Sequence, residues 1–180
     1  MTEITDPMSK LPPAVQQFVL HWGNLGERWG VNRSVSQIHA LLYVSERPLT
    51  AEDIADTLGL ARSNVSNSLR ELQSWEIIRT VPVMGDRRTC YEAEIDLWTI
   101  VTRIAAGRKS RELDPAAVAL HRCIEGAKGD ATLSPVVTRR LKAMLEFIER
   151  MSRWYEQVSK LSRVQITTIL KLGGGIARLL

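Results

Sequence analysis

The feature that most constrains this chain is a pair of short helical patterns joined at Leu58-Gly59-Leu60, followed by a candidate β-hairpin whose tip reads Gly85-Asp86-Arg87-Arg88. The second pattern, Ala61 to Leu72, sets Val65, Leu69 and Leu72 on one face at helical spacing. That spacing leaves Arg62, Ser63, Asn64, Ser66, Asn67 and Arg70 pointing outward. Short hydrogen-bonding side chains with two arginines suit the DNA major groove, where Arg, Asn and Ser read base edges. A polar helix face is also what any solvated helix shows, and helix-turn-helix geometry occurs in proteins that touch no DNA. The hairpin adds weight to the first reading, because Arg87 and Arg88 suit phosphates or the minor groove. The expected fold class is mainly α with a small β-hairpin wing: a winged helix-turn-helix domain plus a helical dimerisation region.

Composition sets the limits within which that reading has to work. With 44% hydrophobic and 24% charged residues, the 180-residue chain is ordinary for a globular protein and is not a disordered tail. A formal charge of +4 permits a polyanionic partner. The N-terminus, Met1-Thr2-Glu3-Ile4-Thr5-Asp6-Pro7, lacks a basic start and an apolar run of signal-peptide length, and no stretch is long and apolar enough to span a membrane. A cytoplasmic setting without membrane contact is therefore expected. Cys90 and Cys123 lie far apart, with no metal-ligand spacing, and read as small packed side chains.

Three segments follow along the chain: residues 1–31 as an N-terminal dimerisation helix, 32–95 as the winged helix-turn-helix, and 96–180 as a helical dimerisation and candidate effector region. After a disordered-looking start, Pro12-Pro13 opens a helix carrying Val15, Phe18, Val19, Trp22, Leu25 and Trp29, which Gly23, Gly26 and Gly30 weaken. A capping box at Ser34-Val35-Ser36-Gln37 starts a helix whose core face is Val35, Ile38, Leu41 and Leu42. Thr50 caps the next, with Glu52 and Asp53 favouring the dipole, Ile54, Ala55 and Leu58 facing inward, and Gly59 stopping it.

Ile77–Val81 and Thr89–Ala93 read as strands, with Pro82 and Gly85 marking the turn between them. Asp96 caps a helix through about Arg111, Asp114-Pro115 opens another through about Glu125, and 126–133 is a loop. From Ser134-Pro135 a long helix repeats Val137, Leu141, Met144, Ile148, Met151, Tyr155, Val158 and Leu161, a seam that asks for a partner helix. Either a second copy or the Val15–Trp29 helix could supply it. Two-fold pairing has a further attraction, since one recognition helix reads few bases and a dimer reads two half-sites. The segment from Ser162 onward reads as a short helix pair broken at Gly173-Gly174-Gly175.

Catalytic chemistry finds no foothold. His21, His39 and His121 fall on separate helices without carboxylate or cysteine at ligand spacing, and His39 beside Ile38 reads as a satisfied structural histidine. Gly173-Gly174-Gly175 follows a helix and lacks the Lys-Ser or Lys-Thr of a phosphate loop. No catalytic residue, metal site or cofactor is expected, and the chain does not read as an enzyme.

The residues resemble the MarR superfamily of winged helix-turn-helix regulators, and within it the GbsR-type branch. The likeness rests on residues 32–42, Leu49-Thr50-Ala51-Glu52-Asp53-Ile54-Ala55, residues 61–75 and Gly85-Asp86-Arg87-Arg88, and continues loosely through Trp154-Tyr155-Glu156. It implies a homodimeric transcription factor, usually a repressor, with interlocked terminal helices. It also implies an Asp that orients a minor-groove Arg, which falls here on Asp86 and on Arg87 or Arg88. For some members of the branch it implies choline or glycine betaine as small-molecule effector.

The function expected is a sequence-specific, double-stranded-DNA-binding repressor relieved by a small molecule. The alternatives are a redox-switched regulator using Cys90 or Cys123, and a winged-helix protein-interaction module without DNA binding. Of five tryptophans, Trp75 reads as packing behind the recognition helix. Trp22, Trp98 and Trp154 read either as ordinary packing residues or as an effector pocket, since tryptophan faces attract quaternary ammonium groups.

Overall fold

The structure is a computed structural model that describes residues 7–128 and 133–176. It divides into two compact units, with the division after Arg103. The first unit holds a 3-10 turn (Pro7–Lys10), α1 (Pro13–Arg28), α2 (Arg33–Val44), β1 (Leu49–Thr50), α3 (Ala51–Leu58), α4 (Arg62–Ser74), β2 (Ile78–Val83), β3 (Asp86–Ala93) and the start of α5 (Leu97–Arg108).

At its centre lies α2, which is buried continuously from Val35 to Leu42. The expected core face is present, but Ser36, Gln37, His39 and Ala40 are buried as well, because α1 and α4 both pack on this helix. Gly23 and Gly26 of α1 make that approach possible. A β-carbon on Gly26 would overlap Ser36 Oγ and sit 2.6 Å from Ser36 Cβ, and one on Gly23 would sit 2.6 Å from Gln37 Cγ. These glycines, expected to weaken α1, therefore form the groove into which α2 fits. The cap of α2 also differs from expectation. Asn32 is the N-cap and its Oδ1 accepts from the Ser34 N–H at 2.8 Å, so Ser34 lies inside the helix.

Helix α3 begins as its sequence predicts. Thr50 accepts from the Asp53 N–H and Asp53 accepts from the Thr50 N–H, each at 3.1 Å. The Thr50 N–H, with further help from its hydroxyl and from Arg47, holds the Asp53 carboxyl below the usual carboxylate range. Gly59 ends the helix with φ +64. Its bare Cα faces Pro7, whose Cγ would lie 2.8 Å from an added β-carbon. The segment just before Pro12, expected to be irregular, thus holds a 3-10 turn over Pro7–Lys10 with Met8 buried.

The sheet has three antiparallel strands in the order β1-β3-β2. Two corrections apply to the hairpin. Pro82 lies within β2 rather than in the turn, at a break in register between Val81 and Val83, as suits a residue with no N–H to donate. The turn is at Met84-Gly85, with Gly85 at φ +82, so Arg87 and Arg88 lie on β3 and not at the tip. Strand β1, only two residues long, was below what an alternation pattern can signal.

Asp96 caps α5, its Oδ1 accepting from the Thr99 N–H at 2.8 Å. The second unit contains the rest of α5, a π turn (Lys109–Leu113), α6 (Asp114–Gly126), α7 (Pro135–Val158) and α8 (Arg163–Ile176). Asp114 was expected to cap a new helix, yet it has helical dihedrals, φ −64 and ψ −45. Pro115 cannot donate to the preceding turn and crowds its carbonyl, and wider π winding accommodates both. Lys109 braces the turn through Asp114 at 2.8 Å and Glu156 of α7 at 3.4 Å. Ser134 caps α7, and α8 continues as one helix through Gly173-Gly174-Gly175, a costly but permitted sequence for helix. The expected loop at 126–133 lies in part outside the described residues.

The apolar seam of α7 separates into two rows. Leu141, Leu145, Ile148 and Tyr155 are half-buried, whereas Val137, Met144, Phe147, Met151 and Trp154 are exposed at heptad-like spacing. No residue of α7 is fully buried within one chain.

One buried polar group also departs from expectation. His39 is enclosed in α2, but among the described residues its Nε2 has no hydrogen-bond partner, so that nitrogen is buried without being satisfied. Burial lowers its pKa from 6.5 to about 4. A folded-state pKa below the unfolded one adds stability above pH 6.5 and loses it as pH falls toward 4. The urea midpoint should therefore fall across that window, by up to about 3 kcal/mol of stability. His39→Leu should flatten the profile; an equally steep profile in that variant would show that other groups cause it.

Candidate nucleic-acid interface

Helix α4 is held by Val65, Leu69 and Leu72, all at most 2% exposed. Its first turn has no side-chain cap, which leaves backbone N–H groups of the kind that bind phosphate at helix N-termini. Arg62, Ser63, Ser66, Asn67 and Arg70 are exposed, as expected from the spacing. Arg70 Nη2 donates to Asn67 Oδ1, so two side chains that could address a base edge already lie side by side.

Asn64 differs from the expected outward orientation. It is half-buried, with Nδ2 donating to Ser34 Oγ of α2 at 2.9 Å and Oδ1 accepting from buried Ser68 at 3.3 Å. At the border between the apolar and polar faces, its amide ties α4 to α2. The signal for this was the polar pair Asn64 and Ser68 at i and i+4, which continues the buried row beside Val65 and Leu69.

The wing and α4 share a residue that the reading of the sequence assigned only to the α3 dipole. Glu52 accepts from Arg62 at 2.6 Å through Oε1, and its Oε2 lies 3.7 Å from Arg88 Nη1. Arg47 lies 3.7 Å from Asp53 in the same neighbourhood. Arg88, though exposed, thus reaches toward α3, and Arg87 beside it on β3 is exposed as well. The side chain of Asp86, expected to orient an arginine, lies outside the described residues.

Behind the C-terminal end of α4, Glu76 has φ +57, unusual for a residue with a side chain. Arg103 of α5 donates to its carbonyl oxygen and lies 3.4 Å from Glu94, anchoring this turn from outside the helix-turn-helix. A cleft of about 370 Å³ is lined there by residues including Gln73, Glu94 and Arg103. No tryptophan lines it.

Trp22 stacks against Phe18 with ring centroids 5.5 Å apart, Trp98 is half-buried, and Trp154 is 57% exposed. Trp75 is the half-buried C-cap of α4. Cys90 is buried in the sheet and Cys123 is exposed on α6. Among the described residues no cluster of His, Cys, Asp or Glu could hold a metal, and no helix is long and apolar enough to cross a membrane.

Residues 29–89 match the MarR family model MarR_2. The chain is 24% identical over 102 residues to YvaV, an inferred HTH-type transcriptional regulator of Bacillus subtilis (strain 168), a match covering 56% of this chain and 58% of that protein. It is 19% identical over 136 residues to the HTH-type transcriptional repressor OpcR of the same organism, covering 74% of each. The crystal structure of a transcriptional regulator superposes with a TM-score of 0.63 at 23% identity, over 82% of this chain and 96% of that one, which shows the fold. Residues 29–89 are thus similar to the MarR family, and the chain is similar in sequence to two regulators of the helix-turn-helix type.

Proposed function

We propose that this protein is a homodimeric, sequence-specific DNA-binding transcriptional regulator of the GbsR-type branch, acting as a repressor that a small molecule relieves. One observation carries the reading. The exposed polar row Arg62, Ser63, Ser66, Asn67 and Arg70 stands beside a wing whose Arg88 reaches the same carboxylate as Arg62, so helix and wing offer one continuous basic edge. In this reading α4 enters the major groove, Asn67 and Arg70 address bases, and Arg87 and Arg88 contact phosphates or the minor groove. The similarity to a repressor supports the sign of regulation.

The central test is Asn67→Ala on an operator recovered by selection from random DNA. A good base contact is worth about 1 to 3 kcal/mol of discrimination. Operator affinity should fall several-fold or more while random-DNA affinity barely changes. An equal loss on both would remove Asn67 from the base readers.

The dimer is supported by the exposed row Val137, Met144, Phe147, Met151 and Trp154 on α7, an open apolar face that a second copy can cover. A large apolar side chain contributes about 1.5 to 3 kcal/mol when fully buried. Met151→Asp should therefore give a monomer by light scattering at micromolar concentration. A dimer that persists would place the interface elsewhere.

For the effector, exposed Trp22 and half-buried Trp98 of the first unit, and separately exposed Trp154 of the second, each carry an aromatic face of the kind that attracts a quaternary ammonium group. Choline or glycine betaine at millimolar concentration should shift tryptophan fluorescence and weaken operator binding together. Failure of both responses, with operator binding intact, would remove this ligand class.

A further inference from the structure

We propose that Glu52 is an electrostatic gate on DNA contact: its carboxylate occupies, in the free protein, the place between Arg62 and Arg88 that a backbone phosphate takes in the complex. The proposal rests on the DNA-binding reading above and adds to it a residue that opposes binding. Glu52 stands at the second position of α3, on neither the recognition helix nor the wing, yet its two oxygens face one arginine from each, at 2.6 Å and 3.7 Å. Arginine presents the same planar donor edge to a carboxylate as to a phosphate, so the two anions compete for one geometry.

All three side chains are about half exposed or more: Arg62 79%, Arg88 56% and Glu52 47%. Exposed pairs of this kind are weak, so a phosphate can displace the carboxylate without disturbing the fold. Asp53 beside it is committed to the Thr50 capping box and to Arg47 and feels Arg88 more weakly, whereas Glu52 is within ion-pair distance of an arginine from both helix and wing. Two consequences follow. The arginines are held toward a common anion before DNA arrives, and the strength of backbone contact is lowered by one opposing charge per protomer.

The experiment measures binding of the full-length protein and its Glu52→Gln variant to a random-sequence duplex and to the selected operator over a range of salt. Glu52→Gln should tighten both by about three- to tenfold at low salt, steepening the slope of log affinity against log salt by about one per protomer. Because phosphates are common to both duplexes, the operator-to-random ratio should stay nearly constant. In the Arg62→Ala background the same substitution should have a clearly smaller effect, since the gate acts through that arginine. A thermal midpoint close to that of the parent establishes that the variant is folded.

Unchanged or weaker binding by a folded Glu52→Gln protein would overturn the gate while leaving the DNA-binding reading intact. So would full tightening in the Arg62→Ala background, which would assign the effect to general charge. Absence of salt-dependent DNA binding by the parent protein would overturn both.

Discussion

Because α2 has no solvent face between Val35 and Leu42, it has to be covered on both flanks, and the geometry of the first unit follows from how that is done. On one flank α1 comes close by presenting glycines where Ser36 and Gln37 need room. On the other, α4 offers Val65, Leu69 and Leu72, with the Asn64 amide tying it to Ser34. Close packing of this kind leaves little freedom of rotation to α4. The direction of its exposed polar row is therefore set by the core, and a rigid helix can present side chains to a groove with a fixed register.

The electrostatics are layered on that scaffold without being needed to hold it. The ion pairs around α3, α4 and the wing are exposed, and such pairs contribute only about 0.2 to 1 kcal/mol each. Arginines can then change partners at small cost to the fold. The exception is the turn after α4, where Glu76 adopts a left-handed backbone and Arg103 donates to its carbonyl. There a charged side chain secures an unfavourable backbone, which links α5 to the end of α4.

Much of the winged helix was legible because each element carries its own local signal: the Thr50–Asp53 box, the glycine at 59, and the Val65, Leu69 and Leu72 spacing. What escaped depended on tertiary neighbours. Nothing local distinguishes a glycine that weakens α1 from one that admits Ser36, and a two-residue β1 exists only because β3 lies beside it. Asn64 and Glu52 had the polarity of surface residues, and only the placement of Ser34, Arg62 and Arg88 around them assigns their bonds. The single seam read along α7 failed for a related reason: a run of threes and fours straddles two faces, and only the packing of the preceding helix α6 and π turn against one of them separates the two.

Pro82 has a consequence beyond shaping the hairpin. Strand β2 is an edge of the sheet, and an open edge is a template on which another chain can extend it. A proline at the register break gives an incoming strand one fewer donor, and the exposed Arg79 on the same strand adds charge. The wing can thus project into solvent as two paired strands while resisting the sheet-to-sheet growth that leads to aggregation.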